Sequence, residues 1–183
     1  MTHPTLRTER LLLRPFLASD ADEIVRLAGA REIAATTLRI PHPYSKADAD
    51  TFIAACARRA EEDLAAVFAV DLRDQFQLLG AVGLELELPH RRAELGYWIG
   101  VPYWGNGYAT EAARAVVHYG FDTLNLNRIY ASHFPHNPAS AQVLRKIGMQ
   151  HEGRLRSHVQ KWDQFYDLEL YAVLRADSKP ARS

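Results

Sequence analysis

The chain has 183 residues, 48% of them hydrophobic, enough for one buried core and a single expected domain over 1–183. Lys plus Arg and Asp plus Glu both number 22, and the formal net charge of zero argues against a general nucleic-acid or anionic-membrane binder. The single cysteine, Cys56, excludes an internal disulfide, and the charged start and short apolar runs predict neither signal peptide nor membrane span, hence a soluble cytoplasmic protein.

In chain order, Leu11-Leu12-Leu13-Arg14-Pro15 reads as a first strand closed by its proline. Ser19 to Glu23 predicts a helix start, with a capping box between Asp20 and Glu23 and a buried side of Ile24, Leu27 and Ala28. Two prolines keep Arg39 to Tyr44 irregular, a rigid linker with Tyr44 packed on the core. Ser45 caps a second helix whose inward face carries Phe52, Ile53, Cys56, Ala57 and Ala60, so Cys56 reads as core packing. Ala66–Leu72 and Leu78–Leu88 read as strands joined by Arg73-Asp74-Gln75. Alternation of Leu84, Leu86 and Leu88 with Glu85 and Glu87 predicts one wet face.

Ala93 to Val101 is a further strand, rich in aromatic and β-branched residues. It feeds the glycine turn Tyr103-Trp104-Gly105-Asn106-Gly107-Tyr108, after which Ala109, Ala112, Ala113, Val116, Val117, Gly120, Phe121 and Leu124 recur at helical spacing. A helix opened by such a turn presents unpaired N–H groups and the positive end of its dipole, a site for a phosphate group, although a plain tight turn has the same pattern. No Lys-Ser or Lys-Thr follows the glycines, so this is no Walker loop, and no third glycine completes a dinucleotide fingerprint. Arg128–Phe134 reads as a strand parallel to the one before the helix, through a right-handed crossover. Asn137 and Pro138 open a last helix with Val143, Leu144 and Ile147 inward, stopped by Gly148. Strands His151–Gln160 and Phe165–Leu174 precede a polar tail from Asp177 to Ser183. His133 and His136 fall on opposite strand faces, so no metal site is expected.

AELGYWIG, YWGNGYATEA and NPASAQVLRKIGM stand in this order between TERLLLRPF and YAVL. The set resembles the GNAT acetyltransferase superfamily, and within it the branch of ribosomal-protein N-terminal acetyltransferases. The resemblance implies an α/β GNAT fold: a central mixed, strongly twisted β-sheet of about seven strands flanked by about four helices, with a splayed parallel strand pair holding the cofactor. It implies acetyl-CoA as cosubstrate. The pantetheine arm would lie on backbone groups of Ile99, Gly100 and Val101, and the diphosphate on Trp104, Gly105, Asn106, Gly107, Tyr108, Ala109 and Thr110. Trp104 stands where the superfamily has Gln or Arg, a change of small consequence in a loop that binds through backbone N–H groups. Asn137 and Ser140 match the superfamily's Asn-x-x-Ser pair near the pantetheine and the sulfur. The PHPY segment with Tyr44, and Trp162, Phe165, Tyr166 and Asp167 near the last turn, match positions beside the acceptor. A homodimer is plausible for the family.

Acetyl transfer to an amine needs a neutral nucleophile, an N–H donor for the carbonyl oxygen and a proton donor for the thiolate. Glu94 is the candidate base. It shares a strand face with Gly96, which leaves room for a substrate, and with Trp98, which would line that room; a solvated carboxylate paired with Arg91 or Arg92 is the alternative. Ser140 is the candidate donor, or a residue that only bonds backbone at the helix start. The expected function is transfer of an acetyl group from acetyl-CoA to a primary amine in a ternary complex, with a protein N-terminal α-amine favoured by the resemblance. Antibiotic or polyamine acceptors are an alternative, as is a non-catalytic coenzyme A sensor. No nucleic-acid or membrane partner is expected.

Overall fold

The computed structural model describes residues 4–177, so the tail expected from Asp177 to Ser183 lies, past its first residue, outside the described residues. The strands are β1 (Leu6–Arg7), β2 (Leu11–Arg14), β3 (Ala65–Leu72), β4 (Gln77–Glu87), β5 (Arg92–Ile99), β6 (Arg128–His133), β7 (Gln150–Lys161) and β8 (Gln164–Leu174). The helices are α1 (Ala21–Ala28), α2 (Arg31–Thr36), α3 (Lys46–Glu61), α4 (Tyr108–Asp122) and α5 (Pro138–Lys146). All eight strands join one mixed sheet in the order β1-β2-β3-β4-β5-β6-β8-β7.

The fold class is as expected, with one more strand and one more helix than the sequence suggested. β1 has two residues, and α2 has six with no side-chain cap at its start, so neither is long enough to repeat its hydrophobic period. The capping box between Asp20 and Glu23 is not formed. Asp20 instead accepts from the Leu17 N–H at 2.7 Å and from Arg14 at 2.8 Å, closing a 3₁₀ turn ahead of α1. Ser45 does cap α3, accepting from the Asp48 N–H at 3.2 Å. On that helix Ala49, Cys56 and Ala60 are buried while Ala57 is exposed, because the buried stripe runs one position away from Ala57. Burial pushes the Cys56 thiol up to about 12.

α4 and α5 cover one sheet face over the larger core, which includes Phe68, Leu84, Leu95, Val116, Phe121 and Leu144. α1 and α3 cover the other face over a smaller core of Ile24, Leu27, Ala49 and Leu78. No helix among the described residues is long and apolar enough to cross a membrane.

The sheet's one parallel junction positions the site. β5 pairs with β6 only at Arg92↔Arg128, Ala93↔Ile129 and Glu94↔Tyr130. β5 then runs on to Ile99, still paired with β4 as far as Gly80↔Ile99, and β6 runs on to His133, still paired with β8. The two strands therefore part after Glu94. The Gly100 N–H donates to the Leu79 carbonyl at 2.8 Å, which sets the phase of the β4–β5 ladder. By alternation, the backbone N–H and C=O groups of Tyr97 and Ile99, past the last β5–β6 pair, point away from β4, into the gap.

Candidate active site

The glycine turn lies just past the gap's wide end. Gly105 and Gly107 both have φ of +79°, and Gly107 caps α4 without a side chain. Three of the turn's carbonyls have donors: Asn106 Nδ2 donates to those of Tyr103 and Trp104 at 3.1 Å, and Arg10 Nη1, from outside the turn, donates to that of Asn106 at 3.0 Å. The first intrahelical bond runs from the Glu111 N–H to the Gly107 carbonyl at 3.1 Å, so the N–H groups of Tyr108, Ala109 and Thr110 have no helical acceptor. A loop with most of its acceptors occupied and these donors left over suits an anion.

That loop is held from β2's leading turn. Glu111 accepts from the Thr8 hydroxyl (2.6 Å), the Arg10 N–H (2.9 Å) and Arg10 Nε (2.7 Å), and the Arg10 guanidinium lies 4.7 Å from the centre of the Tyr108 ring. Burial works against the Glu111 carboxylate, but these donors hold it below the usual carboxylate range. Arg10 and Glu111 escaped the sequence reading, since the contact joins residues far apart in the chain. Replacing Gly107 by Val puts a β-branched residue at positive φ beside the free N–H groups. We expect coenzyme A affinity to fall about tenfold, or about 1.4 kcal/mol, as the loop relaxes part of the roughly 1–3 kcal/mol such strain costs by turning its N–H groups away from the ligand. Calorimetric titration of the variant checks this, and wild-type affinity would reject the loop as the phosphate cradle.

Of the backbone groups expected to meet a pantetheine arm, those of Ile99 face the gap, and its carbonyl already accepts from the Trp104 indole at 2.5 Å. Both Gly100 groups are engaged, the N–H with Leu79 and the carbonyl with the Tyr103 N–H at 2.9 Å; the Val101 carbonyl accepts from the Trp104 N–H at 3.2 Å. Tyr97, not singled out from sequence for the arm, adds gap-facing groups.

On the α1/α3 side of β5, Glu94, Gly96 and Trp98 share a face. A Cβ on Gly96 would meet nothing within 4 Å, so space stands open between the other two. Trp98 and Tyr44 both pack on the smaller core, and burial pushes the Tyr44 phenol up to about 12. Glu94 lies directly across from Glu85 on β4. Arg39 spans the pair, donating to Glu85 at 3.2 Å and lying 3.8 Å from Glu94, while Arg59 also binds Glu85. Arg91 and Arg92, the partners first considered for Glu94, turn elsewhere: Arg91 donates to Asn125 and Arg92 to Glu87. Burial raises the Glu94 carboxyl above its ordinary value; Arg39 and the Ser132 hydroxyl oppose this, and Glu85 and Glu87 add to it.

Lys161, at the tip of the β7–β8 hairpin, fixes the segment that carries Arg39. Its ammonium donates to the carbonyls of Ala34 (2.6 Å), Ile40 (3.1 Å) and Thr37, and the Leu38 carbonyl is 3.4 Å away. Desolvation lowers the Lys161 ammonium from its ordinary value. Neither Arg39 nor Lys161 was legible as a site residue, because both act across loops that only the folded chain brings together.

On the other side of β5, the Tyr97 phenol meets Ser140 in the first turn of α5, oxygen to oxygen at 2.7 Å. Asn137 caps that helix by accepting from the Ser140 N–H at 3.2 Å. Asn137 and Ser140 thus sit together across the gap from β5, and Glu94 lies at the gap's narrow end.

The Acetyltransferase (GNAT) domain family matches residues 10–150 of this chain. The chain belongs to the GNAT acetyltransferase family. It is similar to the uncharacterized N-acetyltransferase YoaA of Bacillus subtilis, 35% identical over 173 residues, which cover 94% of this chain and 97% of YoaA. An 88-residue stretch is 34% identical to the [ribosomal protein uS5]-alanine N-acetyltransferase of Escherichia coli, covering 48% of this chain and 45% of that protein. An acetyltransferase structure of the GNAT family from Bacillus anthracis superposes with a TM-score of 0.84 at 27% identity, covering 93% of this chain and 98% of the other. GNAT enzymes use acetyl-CoA as cosubstrate, so this chain is an acetyl-CoA-dependent N-acetyltransferase. The N–H groups left over at the glycine loop and the unpaired backbone of β5 fit the phosphates and amide arm of such a molecule.

Proposed function

We propose that this GNAT enzyme acetylates a protein N-terminal α-amine, with Glu94 as the base and Ser140 as the donor to the leaving sulfur. The observation that carries the reading is the parting of β5 and β6 directly after Glu94, with the glycine loop at the far end and Ser140 across the gap. The cosubstrate supplies a thioester carbonyl as electrophile. Backbone N–H groups of β5 that lack a strand partner bind the arm, and one of them polarises that carbonyl. Glu94 takes the proton the amine loses as its nitrogen bonds the acetyl carbon. The C–S bond breaks with its electron pair on sulfur, and the Ser140 hydroxyl meets the new thiolate. Loop N–H groups of Gly105 to Thr110 hold the diphosphate. Trp98 lines the acceptor space over Gly96, and Tyr44 supports it from the smaller core.

An α-amine, with an ordinary pKa of about 8, is about a tenth neutral at pH 7, whereas a lysine at about 10.4 is neutral in less than about a thousandth. A carboxylate base, raised above its ordinary value by burial and by its neighbours Glu85 and Glu87, suits the former. The uS5-alanine relative supports the same acceptor class. Thiol release from acetyl-CoA, measured against peptides with free or blocked N-termini and against spermidine, tests the assignment. Release with free N-termini alone is expected; release with spermidine and none with any peptide would move the enzyme to small amines.

Arg39→Ala gives a pH signature. Removing Arg39 takes away an influence that lowers the Glu94 carboxyl and leaves burial, Glu85 and Glu87, which raise it. The base must be ionised to act, so the acid limb of kcat/KM against pH moves to higher pH. An unmoved limb would mean that the group titrating there is not Glu94.

A further inference from the structure

The Tyr97–Ser140 contact joins the strand on one side of the gap to the helix that follows the strand on the other. Tyr97 had no role in the sequence reading beyond lying opposite Glu94 on its strand. Its phenol is 2.7 Å from the Ser140 hydroxyl and 3.3 Å from the Ser140 carbonyl. The Ser140 N–H is given to Asn137, so the backbone around Ser140 is fixed while its hydroxyl rotor is free to choose. A serine hydroxyl has one proton and two lone pairs. If Tyr97 donates to one lone pair, the serine's own proton cannot return toward the phenol, and it swings into the gap.

We infer that Tyr97 is a positioning residue for the leaving group: its phenol donates to Ser140 Oγ and so turns the Ser140 O–H toward the sulfur of coenzyme A. This rests on the assignment of Ser140 under the proposed function. Burial pushes the phenol up to about 12, so it stays protonated, and a donor, across the working range. The same value makes Tyr97 a poor proton source for a thiolate of ordinary pKa about 8.5. Tyr97 therefore acts through Ser140 and ends the reaction un-ionised. The electron pair of the broken C–S bond stays on sulfur, Ser140 hydrogen-bonds it, and the proton that completes the thiol is returned through solvent, replacing the one Glu94 took from the amine.

The test compares Tyr97→Phe, Ser140→Ala and the double variant in the full chain. Phe keeps the ring in its packing and deletes only the hydroxyl. Two quantities are read: the titration of the thiol of bound coenzyme A, followed by thiolate ultraviolet absorbance, and kcat with KM for acetyl-CoA. The expected result for Tyr97→Phe is a bound thiol that titrates at higher pH than in the wild type and a kcat lower by about tenfold to a hundredfold, with KM unchanged. The double variant should be no slower than Ser140→Ala, since the two hydroxyls act as one unit. A Tyr97→Phe enzyme with wild-type thiol titration and kcat overturns the inference, as does a double variant whose losses multiply. Wild-type behaviour of Ser140→Ala would remove Ser140 and the inference together. A wild-type chain that binds no coenzyme A would instead overturn the proposed function itself, a separate outcome.

Discussion

Glu94→Gln lowers kcat/KM for the amine at least about a hundredfold, the lower end of what a positioned general base contributes, while acetyl-CoA affinity stays at the wild-type value. Gln keeps the size of the side chain and loses the lone pair that takes a proton. Its neighbours explain the size of the effect. Glu94 is partly buried, faces Glu85 directly across the strand pair and has the Arg39 guanidinium at 3.8 Å. Burial, Glu85 and Glu87 raise its carboxyl above the ordinary value, and Arg39 and Ser132 oppose the shift. The glycine loop and Ser140 do not touch it, so cofactor affinity is insulated. The acid limb of the pH profile should vanish with the charge. An activity within about threefold of wild type would remove Glu94 from the mechanism.

Arg14→Met is expected to cost about 3–5 kcal/mol of stability and about 10 °C in melting temperature. Arg14 on β2 donates to Asp71 on β3 at 2.6 Å and to both carboxylate oxygens of Asp20 at 2.8 Å. The Asp71 side chain is 1% exposed and that of Asp20 9%. Met fills the volume of the stem but leaves two buried carboxylates without a counter-charge. Burial already raises the Asp71 carboxyl, with Arg14 opposing. Without Arg14 its folded-state pKa climbs further above the unfolded value. A group raised in this way favours the folded state at low pH, and that advantage is lost as pH rises from 3.8 through the folded value. The deficit of Arg14→Met is thus largest at neutral pH and shrinks toward pH 3.8. Adding Asp20→Asn and Asp71→Asn should restore much of the loss, because apolar or neutral replacement of a whole buried ion cluster is far cheaper than breaking it. A deficit independent of pH, unrelieved by the two Asn changes, would assign the loss to packing.

Where a period was long and one-sided, the sequence was legible. The α4 stripe and the alternation of Glu94, Gly96 and Trp98 against Leu95, Tyr97 and Ile99 follow from 3.6-residue and two-residue spacing alone, and both hold in the fold. The caps of α3 and α5 followed from Ser45 and Asn137. The predicted cap at Asp20 failed because a distant charge, Arg14, competes for the same carboxylate and wins. β1 and α2 were too short to show a period. In the candidate site, the residues named from sequence lie on contiguous motifs. The partners that distant segments bring to the site were not legible: Tyr97 for Ser140, Arg39 for Glu94, Lys161 for the carbonyls of Ala34 to Ile40, and Arg10 with Glu111. Each of those side chains reads locally as an ordinary packed or solvated residue.

The most direct test of the account is calorimetric titration of the wild-type chain with acetyl-CoA and, in parallel, with S-acetylpantetheine, which keeps the arm and thioester but lacks the diphosphate. The account predicts binding of both, with acetyl-CoA at least about tenfold tighter because the N–H groups from Gly105 to Thr110 hold its phosphates. Equal affinity for the two would contradict the phosphate role of the glycine loop, and no heat from either would contradict the placement of the cosubstrate between β5 and β6.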